Sequence, residues 1–340
     1  MDKSITYLHA LHLAGKGEPK TLLKNLGQYD SPEAAWEHLK VATINPDDEF
    51  KKLERLDIWA ISKDSLHYPP LLRETHDAPV ILYGRGVIDP DQFFLAMVGT
   101  RKPTEYGKTV AKNFAADFAQ AGISIVSGGA YGIDKESHAG ALRSGGKTIM
   151  VIGSGLDRAS FYPGAHWNLA EEIVQNGGAV ISEYPPGTKV LQHHFPERNR
   201  IIAGMSRGLI VVEAQMKSGA SITARLAVSE NRDVFVVPGS IYSPTSDLPN
   251  SLLKEGAAPL LAPSDLLEAY GFKLLAEAKG ETFGEFETVI IEALRNPCTL
   301  DDLSREVKGG IHALQSSLTA LELAGKIMEI EPGRYQVIGS

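Results

Sequence analysis

The residues best able to do chemistry stand in one run at 123–134, Ile-Ser-Ile-Val-Ser-Gly-Gly-Ala-Tyr-Gly-Ile-Asp. Ile123 to Val126 read as a short buried strand, Ser127, Gly128, Gly129 and Gly132 as a turn, and Asp134 to about Arg143 as a helix. Glycines between a strand and a helix let backbone N–H groups approach an anion with no Cβ in the way, at the positive end of the helix dipole. The spacing is not Gly-x-Gly-x-x-Gly, and no acidic residue stands where a ribose contact is expected, so reception of some anion is a better reading than dinucleotide binding. Catalytic signatures are missing. There is no Gly-x-x-x-x-Gly-Lys-Ser/Thr, no His-Glu-x-x-His and no Gly-x-Ser-x-Gly, and His193-His194 are adjacent rather than on one helical face. The expected inventory of catalytic residues, metal sites and cofactors is none.

The elements that must position this turn form an alternation. Strands are predicted at Phe94–Val98, Ile123–Val126, Thr148–Ile152, Ala179–Ser182, Leu209–Val212 and Asp233–Val237, after shorter ones at Ile58–Ile61 and Val80–Tyr83. Helices are predicted near Lys108–Gln120, Lys135–Arg143, Trp167–Gln175, Arg198–Met205 and Ser221–Ser229. Strand and helix in turn predict an α/β, Rossmann-like, doubly wound and mostly parallel sheet, whose ligands bind at the carboxyl ends of the strands.

Those ends carry the unusual residues: Gly99-Thr100-Arg101, then the glycine turn, then Gly153-Ser154-Gly155-Leu156-Asp157 with Tyr162-Pro163. Glu183-Tyr184 leads to Phe195-Pro196-Glu197-Arg198-Asn199-Arg200, Glu213 to Ser218-Gly219-Ala220-Ser221, and the last strand to Pro238-Gly239-Ser240. Amides and arginines for phosphates, with aromatic faces for bases, make a strip suited to a single nucleic-acid strand. Each has a plainer reading. Arg101 could pair with Asp134 or Glu213, and Arg198 and Arg200 with Glu197 or Glu183, while Phe195, Tyr131 and Tyr162 could be core.

The flanks differ from the centre. Residues 1–56 read as a helical domain, resembling a helix-hairpin-helix at Gly15-Lys16-Gly17-Glu18-Pro19, with 45–56 charge-rich as a linker or loosely packed helix. Residues 57–272 hold the sheet, 273–282 a linker, and 283–340 three helical stretches and a hairpin, a winged helix. Its recognition helix, Ile311–Leu323, offers no arginine. The net charge is −8, yet residues 97–213 carry 12 Lys/Arg against 10 Asp/Glu. A slightly basic centre between acidic flanks can hold a local cationic groove. The single cysteine excludes a disulfide framework. With no apolar leader and no run long enough to span a bilayer, the expectation is a cytoplasmic protein with no membrane partner.

Taken jointly and in order, the Gly-Thr-Arg, Ser-Gly-Gly-Ala-Tyr-Gly-Ile-Asp, Gly-Leu-Asp with Tyr-Pro, Phe-Pro-Glu-Arg-Asn-Arg-Ile-Ile-Ala-Gly, Ser-Gly-Ala-Ser and Val-Pro-Gly-Ser motifs resemble the DNA-processing protein A family, DprA or Smf, over about residues 60–270. The resemblance implies a non-catalytic protein that binds single-stranded DNA without sequence preference, protects incoming DNA in natural transformation and helps load the RecA recombinase. It implies a homodimer, with Asn250, Leu252 and Leu253 at its interface. Carried over by position, Arg101 holds a phosphate beside Gly99 and Thr100, and Ser127, Gly128 and Gly129 present amides. Phe195 stacks on a base, and Arg198, Asn199 and Arg200 shape the groove, with Gly155, Ser218, Gly219 and Ser221 along it. The chain departs from several relatives at Gly164-Ala165-His166 and Gln192-His193-His194, where a basic residue is missing. Arg158 is a candidate to compensate, and His193 and His194 are expected to add charge as pH falls.

Two other functions compete. Phosphoribohydrolase-like nucleotide enzymes share a Ser-Gly-Gly turn but carry Pro-Gly-Gly-x-Gly-Thr-x-x-Glu, where this chain has Ser218 to Arg225 without a carboxylate. A protein adaptor would account for the acidic flanks.

Overall fold

Runs of Val, Ile and Leu without polar alternation form strands buried on both faces, the mark of a parallel sheet under helices. The computed structural model describes residues 3–39, 41, 43–272, 284–307, 310–323 and 326–338. The chain divides into two compact units, residues 1–273 and 274–340.

In the first unit, strands β1 (Trp59–Ser62), β2 (Ile81–Gly86), β3 (Phe94–Val98), β4 (Ser124–Gly128), β5 (Thr148–Ile152), β6 (Ala179–Ser182), β7 (Gly208–Val211), β8 (Asp233–Val236) and β9 (Ala258–Pro259) make one sheet. Its order is β1-β2-β6-β5-β4-β3-β7-β8-β9. From β6 to β9 all pairings are parallel, while β1 and β2 extend the edge antiparallel. The helices are α1 (Lys3–Ala14), α2 (Pro19–Leu26), α3 (Pro32–Leu39), α4 (Pro46–Arg55), α5 (Pro70–Arg73), α6 (Glu105–Gln120), α7 (Ile133–Arg143), α8 (Trp167–Gln175), α9 (His194–Met205), α10 (Gly219–Ser229), α11 (Asp247–Lys254) and α12 (Pro263–Ala269). The Rossmann-like, mostly parallel sheet expected from the alternation is therefore present.

Side chains of β3 alternate between faces, as the period of a strand requires. Phe94, Ala96 and Val98 pack with Ile201, Ile202 and Ala224 from α9 and α10, and Leu95 and Met97 with Ala111, Phe118 and Ala141 from α6 and α7. A third cluster joins Leu8, Leu11, Leu22, Ala35 and Leu53 of the N-terminal helices to Tyr83, Met150 and Ile152 of the sheet.

Three departures from expectation have a clear local reason. β4 runs on through Ser127 and Gly128, because both still pair with Met150 and Val151 of β5. α9 begins at His194, since a proline in the first helical turn loses no backbone bond, and this puts Phe195 on a helix. The charge-rich 45–56 stretch is a capped helix. Asn45 Oδ1 accepts from the Asp47 and Asp48 N–H groups at 3.1 and 3.3 Å, Pro46 opens the helix, and Leu53 is buried. Acids in its first turn and Lys52 and Arg55 in its last suit the dipole.

The second unit holds α13 (Glu285–Ala293), β10 (Cys298–Thr299), α14 (Leu300–Glu306), α15 (Ile311–Leu323), β11 (Ile327–Glu331) and β12 (Arg334–Val337). Its strands form an antiparallel sheet in the order β10-β12-β11 around Ile290, Leu303, Leu314 and Leu318. The stretch read as a linker, 273–282, lies outside the described residues, and among the described residues no helix is long and apolar enough to cross a membrane.

Candidate functional site

The strand order reverses beside β3, with β4 on one side and β7 on the other. The crevice outside the carboxyl ends at such a switch point is where open α/β sheets take ligands. The loop leaving β3 is tied down there. Thr100 N–H donates to the Glu213 carbonyl at 2.6 Å, and Ile133 N–H donates to the Thr100 carbonyl at 3.2 Å. Gly132, at φ +79°, lies so close that a Cβ would meet Thr100 O and stand 2.8 Å from Arg101 Cα. A Cβ on Gly128 would collide with the Arg198 guanidinium and stand 2.5 Å from Asp134 Oδ2.

So fixed, Arg101 projects into solvent. Its Cζ lies 5.3 Å from the centre of the Phe195 ring, a cation–π distance. It forms no ion pair among the described residues. Tyr162, 44% exposed, meets Phe195 edge to face at 5.8 Å. Tyr131, 49% exposed, stands edge-on to His166 at 4.6 Å. Arg101, Tyr131, Tyr162, Phe195 and the backbone of Gly129 and Gly153 surround a cavity of about 30 Å³. That is room for about one water, so a planar base would lie over the aromatic rings rather than enter. An exposed guanidinium beside several half-exposed aromatic rings can grip a phosphate and stack its base.

The carboxylates that could have neutralised Arg101 are occupied. Glu213 is buried and accepts from Thr104 N–H at 2.8 Å, Thr104 Oγ1 at 2.7 Å and Thr245 Oγ1 at 3.0 Å. These bonds fasten the start of α6 to the end of β7. Asp134 accepts from Ala130 N–H at 3.3 Å. Burial pushes its carboxyl up, against the pull of Arg198.

Several residues placed in the groove by sequence lie beneath or beside it. Ser127 turns its hydroxyl inward to the Met97 carbonyl at 2.6 Å. Arg198 is buried, donates to the Val151 carbonyl and lines the cavity from below. Arg200 is spent on Glu183, whose two oxygens accept at 2.5 Å each, and on Asp77 at 3.2 Å; the plainer reading holds for it. Asn199 Nδ2 donates to the Gly219 carbonyl at 3.3 Å, and Ser218 caps α10 by accepting from Ser221 N–H at 3.3 Å, so Asn199, Ser218, Gly219 and Ser221 gather at the start of α10. Gly155 is buried, its N–H donating to the Thr188 carbonyl at 2.9 Å. Arg158 stands over the Trp167 ring at 5.0 Å. The charge expected of His194 is pushed to lower pH. Its ring is buried and stacked on Tyr184 at 3.9 Å, and burial lowers its pKa.

Two supports escaped the sequence. His138 Nε2 donates to the Gly128 carbonyl at 3.0 Å, and His166 Nδ1 to the Gly129 carbonyl at 2.8 Å, so imidazoles hold the glycine turn from behind. The one signal for His138 was its place on the buried face of α7 with Asp134, Ser137 and Ala141. Nothing local marks His166.

The family described as DNA recombination-mediator protein A matches residues 59–271. Protein Smf of Escherichia coli (strain K12) is 35% identical over 295 residues, 83% of this chain and 78% of that one. DNA processing protein DprA of Streptococcus pneumoniae is 44% identical over 224 residues, 65% of this chain and 77% of that one. Among solved structures, DprA from Streptococcus pneumoniae superposes with a TM-score of 0.61 at 35% identity, covering 79% of this chain and 94% of that one. DNA processing protein A from Helicobacter pylori gives 0.57 at 30%, covering 64% and 98%. Since the matched residues take in every strand of the nine-stranded sheet and the crevice at its switch point, the chain belongs to the DNA recombination-mediator protein A family.

Proposed function

We propose that this protein binds single-stranded DNA without sequence preference, as a recombination mediator that protects incoming strands in natural transformation and delivers them to the RecA recombinase in the cytoplasm. The observation that carries it is Arg101, exposed and unpaired by carboxylate, over the ring of Phe195 at the switch point. Support comes from the Helicobacter pylori relative, whose structure concerns a single-stranded DNA-binding mode. Gly99 and Gly129 would bring backbone to the phosphates and Thr100 its hydroxyl, while Arg198 and Asn199 hold the floor. Residues 1–56 would serve as a helical domain and 283–340 as a winged helix. Labelled oligothymidylate in fluorescence anisotropy, at two salt concentrations, reads the groove directly. Losing one charged phosphate contact costs about 1.5–3 kcal/mol, so Arg101→Glu should weaken single-strand binding at least tenfold and make it less salt-dependent. Equal binding by both proteins would place DNA elsewhere.

The same reading includes a homodimer through the 250–253 stretch. Leu252 packs into the core and Asn250 holds Gly239 through both ends of its amide, at 3.1 and 3.5 Å. Leu253 is half-buried, and Ile241 and Tyr242 are 79% and 91% exposed on a neighbouring loop. Light scattering should find a dimer that Leu253→Glu converts to monomer; a monomeric wild type would remove this part of the proposal.

A further inference from the structure

Glu18, the residue before α2, reaches across to the start of α9. Its Oε1 lies 3.8 Å from His194 Nε2, and its Oε2 lies 3.8 Å from His193 Nε2. One ligand atom from each of the three residues lies within 4.8 Å of the others. Adjacency of the two histidines argues against a metal site only when the sequence around them is considered alone. The third donor arrives from the far end of the chain.

The second observation concerns His194 itself. Its side chain is fully buried, and its Nδ1 lies 3.0 Å from the Gly153 carbonyl. A carbonyl can only accept, so Nδ1 carries the proton; the 3.3 Å approach of Leu191 N–H to the same nitrogen is the weaker contact. Nε2 is then left with a bare lone pair, buried, without a hydrogen-bond partner and aimed at Glu18. Native proteins rarely leave a buried acceptor unmet. An imidazole whose Nδ1–H is held by a backbone carbonyl, with Nε2 facing other donors, is arranged as metal-binding histidines are.

We propose that Glu18, His193 and His194 form a site for a divalent transition-metal ion of the Zn²⁺ class. Two imidazoles and one carboxylate suit Zn²⁺ and disfavour the oxygen-seeking Mg²⁺ and Ca²⁺. In a tetrahedral site with bonds of about 2.0–2.1 Å, donor atoms stand about 3.3 Å apart. The observed 3.8 Å closes by rotation of Glu18 and His193, which are 37% and 53% exposed, onto the fixed His194. The fourth position stays open to water. A bound ion would pin the Gly15–Pro19 turn to the helix that carries Phe195, alongside the 3.2 Å pair of Lys20 with Glu197.

The test uses the full chain, without DNA, and Zn²⁺ as its only ligand, by calorimetric titration with Co²⁺ absorption as a readout of tetrahedral geometry. Glu18→Ala and His193→Ala alter partly exposed positions, and circular dichroism checks that both variants fold. One tight Zn²⁺ per chain, weakened at least tenfold in each variant and raising the melting temperature of the wild type alone, is the expected result. Failure of the wild type to bind Zn²⁺, or wild-type affinity in either variant, overturns the proposal. Oligonucleotide binding plays no part in it, so it stands or falls apart from the proposed function.

Discussion

At the scale of single residues, the crevice separates what touches a ligand from what holds the toucher. Arg101 and Phe195 stand at the surface, whereas Arg198, Glu213, His138 and His166 lie beneath or behind them. Phe195→Ala removes a stacking face and no charge. It should therefore weaken oligothymidylate by about 1–3 kcal/mol while leaving the salt dependence unchanged, which an anisotropy titration at several salt concentrations measures. A change in slope with little change in affinity would mean that the ring only orients Arg101. The motif residues were legible as a set because glycines, arginines and aromatics recur at strand ends. Their division into surface and support was not, because Arg101 and Arg198 differ only in what the fold buries.

At the scale of elements, most strands of the sheet were readable to within one or two residues, since their runs are apolar on both faces, whereas β2 runs three residues past Tyr83 and the two-residue β9 gave no signal. The ends of elements were less so. β4 continues through two motif residues because its neighbour still offers ladder partners, and partners belong to another part of the chain. α4 shows the opposite failure, in which charge density hid good capping. Asn45→Ala removes the cap and should cost about 1 kcal/mol in urea unfolding. Leu53 of α4 packs with Tyr83 and Ile152 of the sheet, so the loss should appear in the main transition. A separate, earlier transition would instead mark residues 1–56 as a domain that melts by itself.

At the scale of the whole molecule, buried neutral histidines make stability depend on pH. Burial lowers His138 to about 4, His9 to about 4 and His12 to about 3, from an ordinary 6.5. Above 6.5 neither the folded nor the unfolded chain protonates them, and their contribution is complete. As pH falls below 6.5 the unfolded chain binds protons that the folded chain refuses, so stability is lost down to about 4. For His138 alone the loss is about 3 kcal/mol. Glu183, raised to about 7 by burial against the pull of Arg200, tilts the other way between 4.5 and 7, and so masks part of the slope. Urea unfolding of His138→Gln beside the wild type isolates the histidine: the variant should lose about one proton's worth of slope between pH 6.5 and 4. Parallel curves would mean that His138 is charged in the folded state.

The order of strands and helices, the glycine turn and the cluster of special residues at strand ends were determined by the sequence alone, because periodicity and residue type act locally. Tertiary structure alone decided which arginine faces solvent, which carboxylates are already bonded, and that histidines stand behind the turn. It also decided that Glu18 meets His193 and His194. Those outcomes depend on burial and on partners far apart in the chain, Glu213 with Thr104 or Glu18 with His194, and no local pattern encodes a distance between them.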